Sequence, residues 1–192
     1  MIKDTKKIIQ ALTYLAGKED DKVMDNMKAY KLLWLADRYH LRQTGMTITG
    51  DAYYAMPFGI VPSDAKCVLE NEKTKLKNPK GYRDRYIANK GAHQFMALAD
   101  ADLQVFSESD QEALDRVYEV FGGMSAKDLS KLSHRFPEWT FYSKLLADKE
   151  QKNSYRIDLD HFFEDGPESD FFCESREMLE LTQELYHQYN RN

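Results

Sequence analysis

The 192-residue chain is short of the residues that staple small folds or build familiar reactive centres. Its two cysteines, Cys67 and Cys173, make neither a CxxC pair nor a disulfide framework, so both are expected to be buried thiols. No apolar run approaches the ~20 residues of a membrane-spanning helix. The opening stretch MIKDTKKIIQALTYLAG alternates polar and apolar positions, and so lacks the apolar block and cleavage site of a secretion signal. A cytoplasmic protein with no membrane partner is expected. Positive charge is also in deficit: the net charge is -5, which counts against a general nucleic-acid binder. GxSxG and GxxxxGK[ST] are both missing, and FGGMSAKD has glycines and a lysine at the wrong spacing for a phosphate cradle. No cofactor is called for, and catalysis through a serine or cysteine nucleophile has no support.

What is present is a large apolar complement, 42% of residues, with 12 tyrosines and 10 phenylalanines. At this length a chain buries roughly two-thirds of its unfolded surface, enough to fold without metal or disulfide. The charge is unevenly placed. Lys66 to Lys90 holds eight lysines and arginines against three acids, whereas Asp158 to Asn192 holds ten acids against two arginines. The plain reading of both runs is solvated surface. The sharper one is a basic face and an acidic tail that steer a charged partner.

Apolar spacing predicts an amphipathic helix over 4–16, then a helix over 24–43 that is apolar nearly all round and closed by a left-handed Gly45. Thr47–Thr49 and Tyr53–Met56 favour strand around a Gly50-Asp51 turn, and Pro62-Ser63 opens the next helix. Residues 74–84 read as a basic loop. Two strands flank Asn89-Lys90-Gly91, and capping patterns at Ser107-x-x-Asp110 and Ser125-x-x-Asp128 start further helices. Another helix is expected at FYSKLLA, and a last one over 170–189 carrying Phe171 and Phe172. The fold class that results is α+β: a mainly helical single domain with a short β-hairpin or small antiparallel sheet. It comprises residues 1–150 with an acidic helical extension, 151–192, packed on the same domain.

Three chemical alternatives arise from the spacing. Asp37-x-x-His40 and Glu184-x-x-His187 each place a carboxylate and an imidazole on one helix face, as in dimetal sites, although chance and helix-surface pairing also produce that spacing. Asp51 with Asp64-x-Lys66 imitates the acid and D-x-K set of a metal-dependent hydrolase. A helix start at Pro62-Ser63 would splay Asp64 and Lys66 apart. Residues 109–135 hold two helices with Lys127, Lys131, His134 and Arg135 on the second, the outline of a DNA-binding regulator of its own operon.

The stretch KLLWLADRYHLRQTGMTITGDAYYAMPFGIVPSDA resembles the central motif of the Panacea domain of SocA-like antitoxins and phage-associated proteins. The resemblance runs through Leu32, Leu33, Ala36, Asp37, His40, Leu41, Gly45, Ile48, Gly50, Asp51, Tyr54, Ala55, Met56, Gly59 and Val61. A second block, FSESDQEALDRVYEVFGGMSAKDLSKLSHRFPEW, is similar to the family's downstream block, and the likeness covers roughly 25–145. Ile60 departs from the proline usual in the family. The resemblance implies a bacterial, non-enzymatic antitoxin that neutralises a co-encoded toxin protein by direct binding. In some members it is an adaptor that delivers the toxin to a protease. Aromatic and methionine side chains suit binding hot spots, so Tyr53, Met56, Phe58 and Ile60 are the expected toxin contacts, with Asp51, His40 and His134 as polar partners. Plain structural roles stand beside these: Asp51 as a turn acceptor, His134 as a satisfied buried neighbour, and Leu33, Trp34, Tyr54, Ala55 and Trp139 as core. Toxin identity and oligomeric state are left open.

Overall fold

The computed structural model describes residues 5–70, 81–148, 150, 152–167 and 171–190. Helix α1 (Thr5–Gly17) leads into strand β1 (Val23–Asp25) and helix α2 (Asn26–Thr44). Strands β2 (Tyr53–Met56) and β3 (Gly59–Pro62) form a hairpin, followed by α3 (Ser63–Leu69) and α4 (Tyr82–Tyr86). Strands β4 (Ile87–Asn89) and β5 (Gln94–Ala97) come next. Four helices then follow: α5 (Glu108–Phe121), α6 (Ala126–Ser133), α7 (Pro137–Thr140) and α8 (Ser143–Ala147). Strand β6 (Tyr155–Arg156) and α9 (Arg176–Asn190) complete the chain.

Helix α2 is the axis of the molecule, with α1, α5, α6, α9 and β3 packed around it. The Asp25 carboxylate accepts from the Met27 and Lys28 N–H groups at 2.8 and 3.0 Å, satisfying donors that the first turn leaves open. Gly45 ends the helix at φ 75° and returns its N–H to the Leu41 carbonyl. A Cβ there would lie 2.7 Å from the Thr182 carbonyl, so glycine also permits the approach of α9. Among apolar side chains such as Leu32, Leu33 and Trp34, α2 buries four charged residues, Lys31, Asp37, Arg38 and Arg42. Their partners organise the rest of the fold.

Arg42 donates to the carbonyls of Phe162, Phe163 and Glu164 at 3.1, 2.7 and 3.1 Å and to that of Phe172 at 3.1 Å. Arg38 reaches the Glu164 carbonyl as well, its guanidinium lying between the Phe136 and Phe172 rings. Ile157, Phe162, Phe163 and Phe172 are buried, and Thr182 donates to the Arg42 carbonyl. Two antiparallel three-stranded sheets flank the helices, in the orders β1-β5-β4 and β3-β2-β6. Among the described residues no helix is long and apolar enough to cross a membrane.

The mainly helical α+β class is the one observed. Several local expectations are corrected. Residues 23–25 are a strand ahead of α2, and Thr47–Thr49 lie outside the hairpin because Asp37 captures that backbone. Phe171 and Phe172 precede α9 rather than belonging to it. Cys67 is buried as expected, but Cys173 is exposed. Residues 74–80 of the expected basic loop lie outside the described residues, and 82–86 are helical.

Candidate partner-binding surface

The hairpin of β2 and β3 pairs Tyr53 with Pro62 and Met56 with Gly59, leaving Pro57 and Phe58 as its tip. Two buried carboxylates fix its base. Asp37 accepts from the Ile48 and Thr49 N–H groups at 2.8 and 3.1 Å, from the Tyr53 hydroxyl at 2.7 Å and from the Thr49 hydroxyl. Asp51 accepts from the N–H groups of Ala52, Asp64 and Ala65 at 2.7, 2.8 and 2.8 Å, and so caps α3. Burial pushes the Asp37 pKa up, against the pull of these donors. Burial first, then the Asp37 and Asp51 charges, keeps the Tyr53 phenol protonated well above its usual range.

The tip is held differently, by side chains from four places along α2, α6 and α7. Trp139 Nε1 donates to the Met56 carbonyl at 2.9 Å, and Ser130 Oγ to that of Phe58 at 2.7 Å. Lys31 Nζ donates to the Ile60 carbonyl at 2.6 Å, and His134 hydrogen-bonds the Pro57 carbonyl. The His134 ring also stacks on Trp139 at 4.1 Å, while its Nε2 is buried with no hydrogen-bond partner among the described residues. Four carbonyls of five consecutive residues are thus tied to the body. Gly59, at φ 96°, lies so close to Ser133 Oγ and Lys31 Nζ that no side chain fits there.

This arrangement sorts the expected contact residues into two groups. Tyr53, Ile60, Asp51 and His40 are buried, which corrects the expectation that they face a partner. Alternation along β2 turns Tyr53 and Ala55 inward, and Ile60 is fully buried in β3, which packs on α2. His40 is spent on the Met46 carbonyl at 2.7 Å and Ser109 Oγ at 3.0 Å. Met56 and His134 are half-buried, and Phe58 is 70% exposed. Leu33, Trp34 and Ala55 are core, whereas Tyr54 and Trp139 are half-buried. Sequence reasoning missed Lys31, Ser130 and Trp139 as supports of the tip. One signal was available for Lys31: an ammonium at the start of the apolar run KLLWLA needs a buried acceptor.

The metal alternatives fare poorly on geometry. Asp51 is committed to three backbone N–H groups, and Asp64 and Lys66 sit in α3, where residues two apart diverge. Asp37 is committed to the Ile48 and Thr49 N–H groups and the Thr49 and Tyr53 hydroxyls, and His187 binds Asp160 at 2.6 Å. Among the described residues no three His, Cys, Asp or Glu gather as a metal site.

Comparison with known proteins supplies the family. The profile described as antitoxin SocA-like, Panacea domain, matches residues 30–140. The chain belongs to that family. No curated protein and no solved structure matches it. In this Panacea chain the motif residues Asp37, Gly50, Asp51 and Gly59 are therefore architectural: they shape and brace the hairpin. The matched segment also contains Lys31, Ser130, His134 and Trp139, the four braces of the tip.

Burial pushes the Lys31 pKa down to about 7. The unfolded chain holds that proton up to about 10.5 while the native state releases it, so native stability rises with pH between about 7 and 10. Above pH 10 the tyrosines work in the opposite direction, because Tyr53 stays protonated in the fold and ionises on unfolding. Urea unfolding at pH 7.5 and pH 9 should show a gain of ~1–2 kcal/mol in the parent protein, with Lys31→Met flattening the slope. An unchanged slope in that variant would show that Lys31 is not the titrating group.

Proposed function

We propose that this protein neutralises a co-encoded toxin by binding it directly, with the Met56–Phe58 tip as the leading contact. The observation that carries the reading is an exposed phenylalanine on a backbone braced from both sides. Phe58 is 70% exposed while the carbonyls on both sides of it are anchored to three helices. A rigid aromatic loses little freedom on association, which is the economy of a binding hot spot. Membership of an antitoxin-named family agrees with a protein partner. The DNA-regulator reading draws no comparable support. Helix α6 buries Leu129, Leu132 and Ser133, uses Ser130 and His134 on the tip, and pairs Lys131 with Asp128.

Co-expression and pull-down with the product of the adjacent gene tests the reading. Phe58→Asp is expected to weaken the complex at least ~tenfold, or ~1.4 kcal/mol, while leaving the melting temperature close to that of the parent. A neighbour that is harmless when expressed alone and never co-purifies would sink the antitoxin role. An unchanged affinity in the variant would move the contact off the tip.

A further inference from the structure

Beside the tip, a groove of about 450 Å³ runs between the start of α2, Phe58 and the turn joining β4 to β5. Its walls are apolar, formed by Met27, Tyr30, Met56, Phe58 and Val61. Asn26 also lines it and is only 8% exposed, yet its Oδ1 has no hydrogen-bond partner among the described residues. A buried amide oxygen left in this condition costs about 1–3 kcal/mol, and turning that side chain toward a donor seated in the groove relieves it.

The charged side chains on the groove walls favour a cationic donor over a neutral one. Among the described residues, Asp25 and Glu70 line the groove with Lys66 and His93, two carboxylates against one ammonium, and Lys66 is already bonded to Glu70 at 2.7 Å. After burial itself, the Glu70 and Asp25 charges are among the causes that raise the Tyr30 phenol, so both fields reach the groove wall. An anion has nothing to bind at this helix start. The Asn26 N–H goes to the His93 carbonyl at 2.8 Å, and the Met27 and Lys28 N–H groups go to Asp25.

We propose that this groove seats an arginine side chain of the partner protein. The proposal rests on the direct-binding reading above and names the partner residue that packs beside Phe58. A guanidinium carries five donors in one plane, enough to serve Asn26 Oδ1 and a carboxylate together. Its face stacks on an aromatic ring and its stem suits apolar walls. A lysine offers the charge without the planar face.

The test uses the full chain and N-acetyl-arginine-N-methylamide as the probe, followed by chemical-shift mapping. The norleucine and lysine analogues serve as controls. The arginine probe should shift the Asn26 side-chain amide and the Phe58 backbone saturably, binding at least fivefold more tightly than either control. Asn26→Leu and, separately, Glu70→Gln should each weaken it at least threefold. Glu70 is exposed, so its variant remains informative if the Asn26 variant fails to fold. No saturable shift, equal binding of lysine or norleucine, or indifference to Glu70→Gln overturns the inference. A neighbouring gene product that still binds through Phe58 would then leave the antitoxin reading standing. A groove that takes the arginine probe in a protein with no toxin partner would do the reverse.

Discussion

Gly59→Ala is expected to cost ~3–5 kcal/mol and to lower the melting temperature by roughly 10 °C. Two independent penalties add at this position. At φ 96° an L side chain is strained whatever the space around it. A Cβ would also overlap Ser133 Oγ and sit 2.7 Å from Lys31 Nζ, the group that holds the Ile60 carbonyl. Neither obstacle is the loose end of a surface chain. Ser133 is buried and donates to the Ser130 carbonyl at 2.7 Å, and Ser130 in turn anchors Phe58. The substitution should therefore disturb the tip before it disturbs the body. Thermal unfolding reads the loss, and hydrogen exchange should show faster exchange at residues 56–60 than in α2. A change below ~1 kcal/mol would mean that the tip relaxes freely, and the rigidity argued for Phe58 would fall with it. Gly50→Ala is a useful comparison: its φ is also positive, at 65°, but no atom lies near the added methyl.

The second large effect belongs to the buried pair of Arg38 and Glu138. Both side chains are fully enclosed, with Arg38 Nε donating to Glu138 Oε1 at 3.0 Å and Trp34 Nε1 donating to the same oxygen at 3.0 Å. Burial pushes the Glu138 pKa up and the Arg38 pKa down, and each charge partly restores the other. Removing one partner leaves an uncompensated charge in the core. Arg38→Met should lose ~3–5 kcal/mol, enough to threaten folding at 37 °C. The double variant Arg38→Met with Glu138→Leu should recover much of that loss, because apolar replacements of similar volume often match a buried pair. Denaturant melts of the single and double variants decide the matter. If the double variant is as unstable as the single, the pair itself matters less than the hydrogen bond Arg38 makes to the Glu164 carbonyl and its contact with the Phe136 and Phe172 rings.

These two effects share a cause. Helix α2 carries four buried charges, and each one secures a different part of the chain. Lys31 holds the hairpin tip, Asp37 its base, Arg38 the α7 segment, and Arg42 the carbonyls of Phe162, Phe163, Glu164 and Phe172. An apolar helix would pack as well but would leave those backbone carbonyls and N–H groups without partners. Among the described residues, Arg42 thereby ties the carbonyls of Phe162, Phe163, Glu164 and Phe172 to α2.

How much was legible beforehand follows from the range of each interaction. Caps are local, so Ser107 with Asp110, Ser125 with Asp128 and the left-handed Gly45 could be read from spacing alone. Helical periodicity placed α1 and α2 to within a few residues, and the aromatic Tyr53–Met56 run was visible as a strand. What spacing could not reveal was which way that strand faced. Tyr53 turned inward because Asp37, 16 positions earlier, accepts its hydroxyl. Phe58 was left outside because Trp139 and Ser130, more than 70 positions later, hold the carbonyls at Met56 and Phe58. A hairpin rich in aromatics offers two faces of similar hydrophobicity, and the choice between them is made by distant partners. The residues themselves set the helices, their ends and the family, since those depend on neighbours a turn away. Only the packed molecule decided which aromatic is exposed and which is core, since that depends on bonds whose two ends meet only after folding.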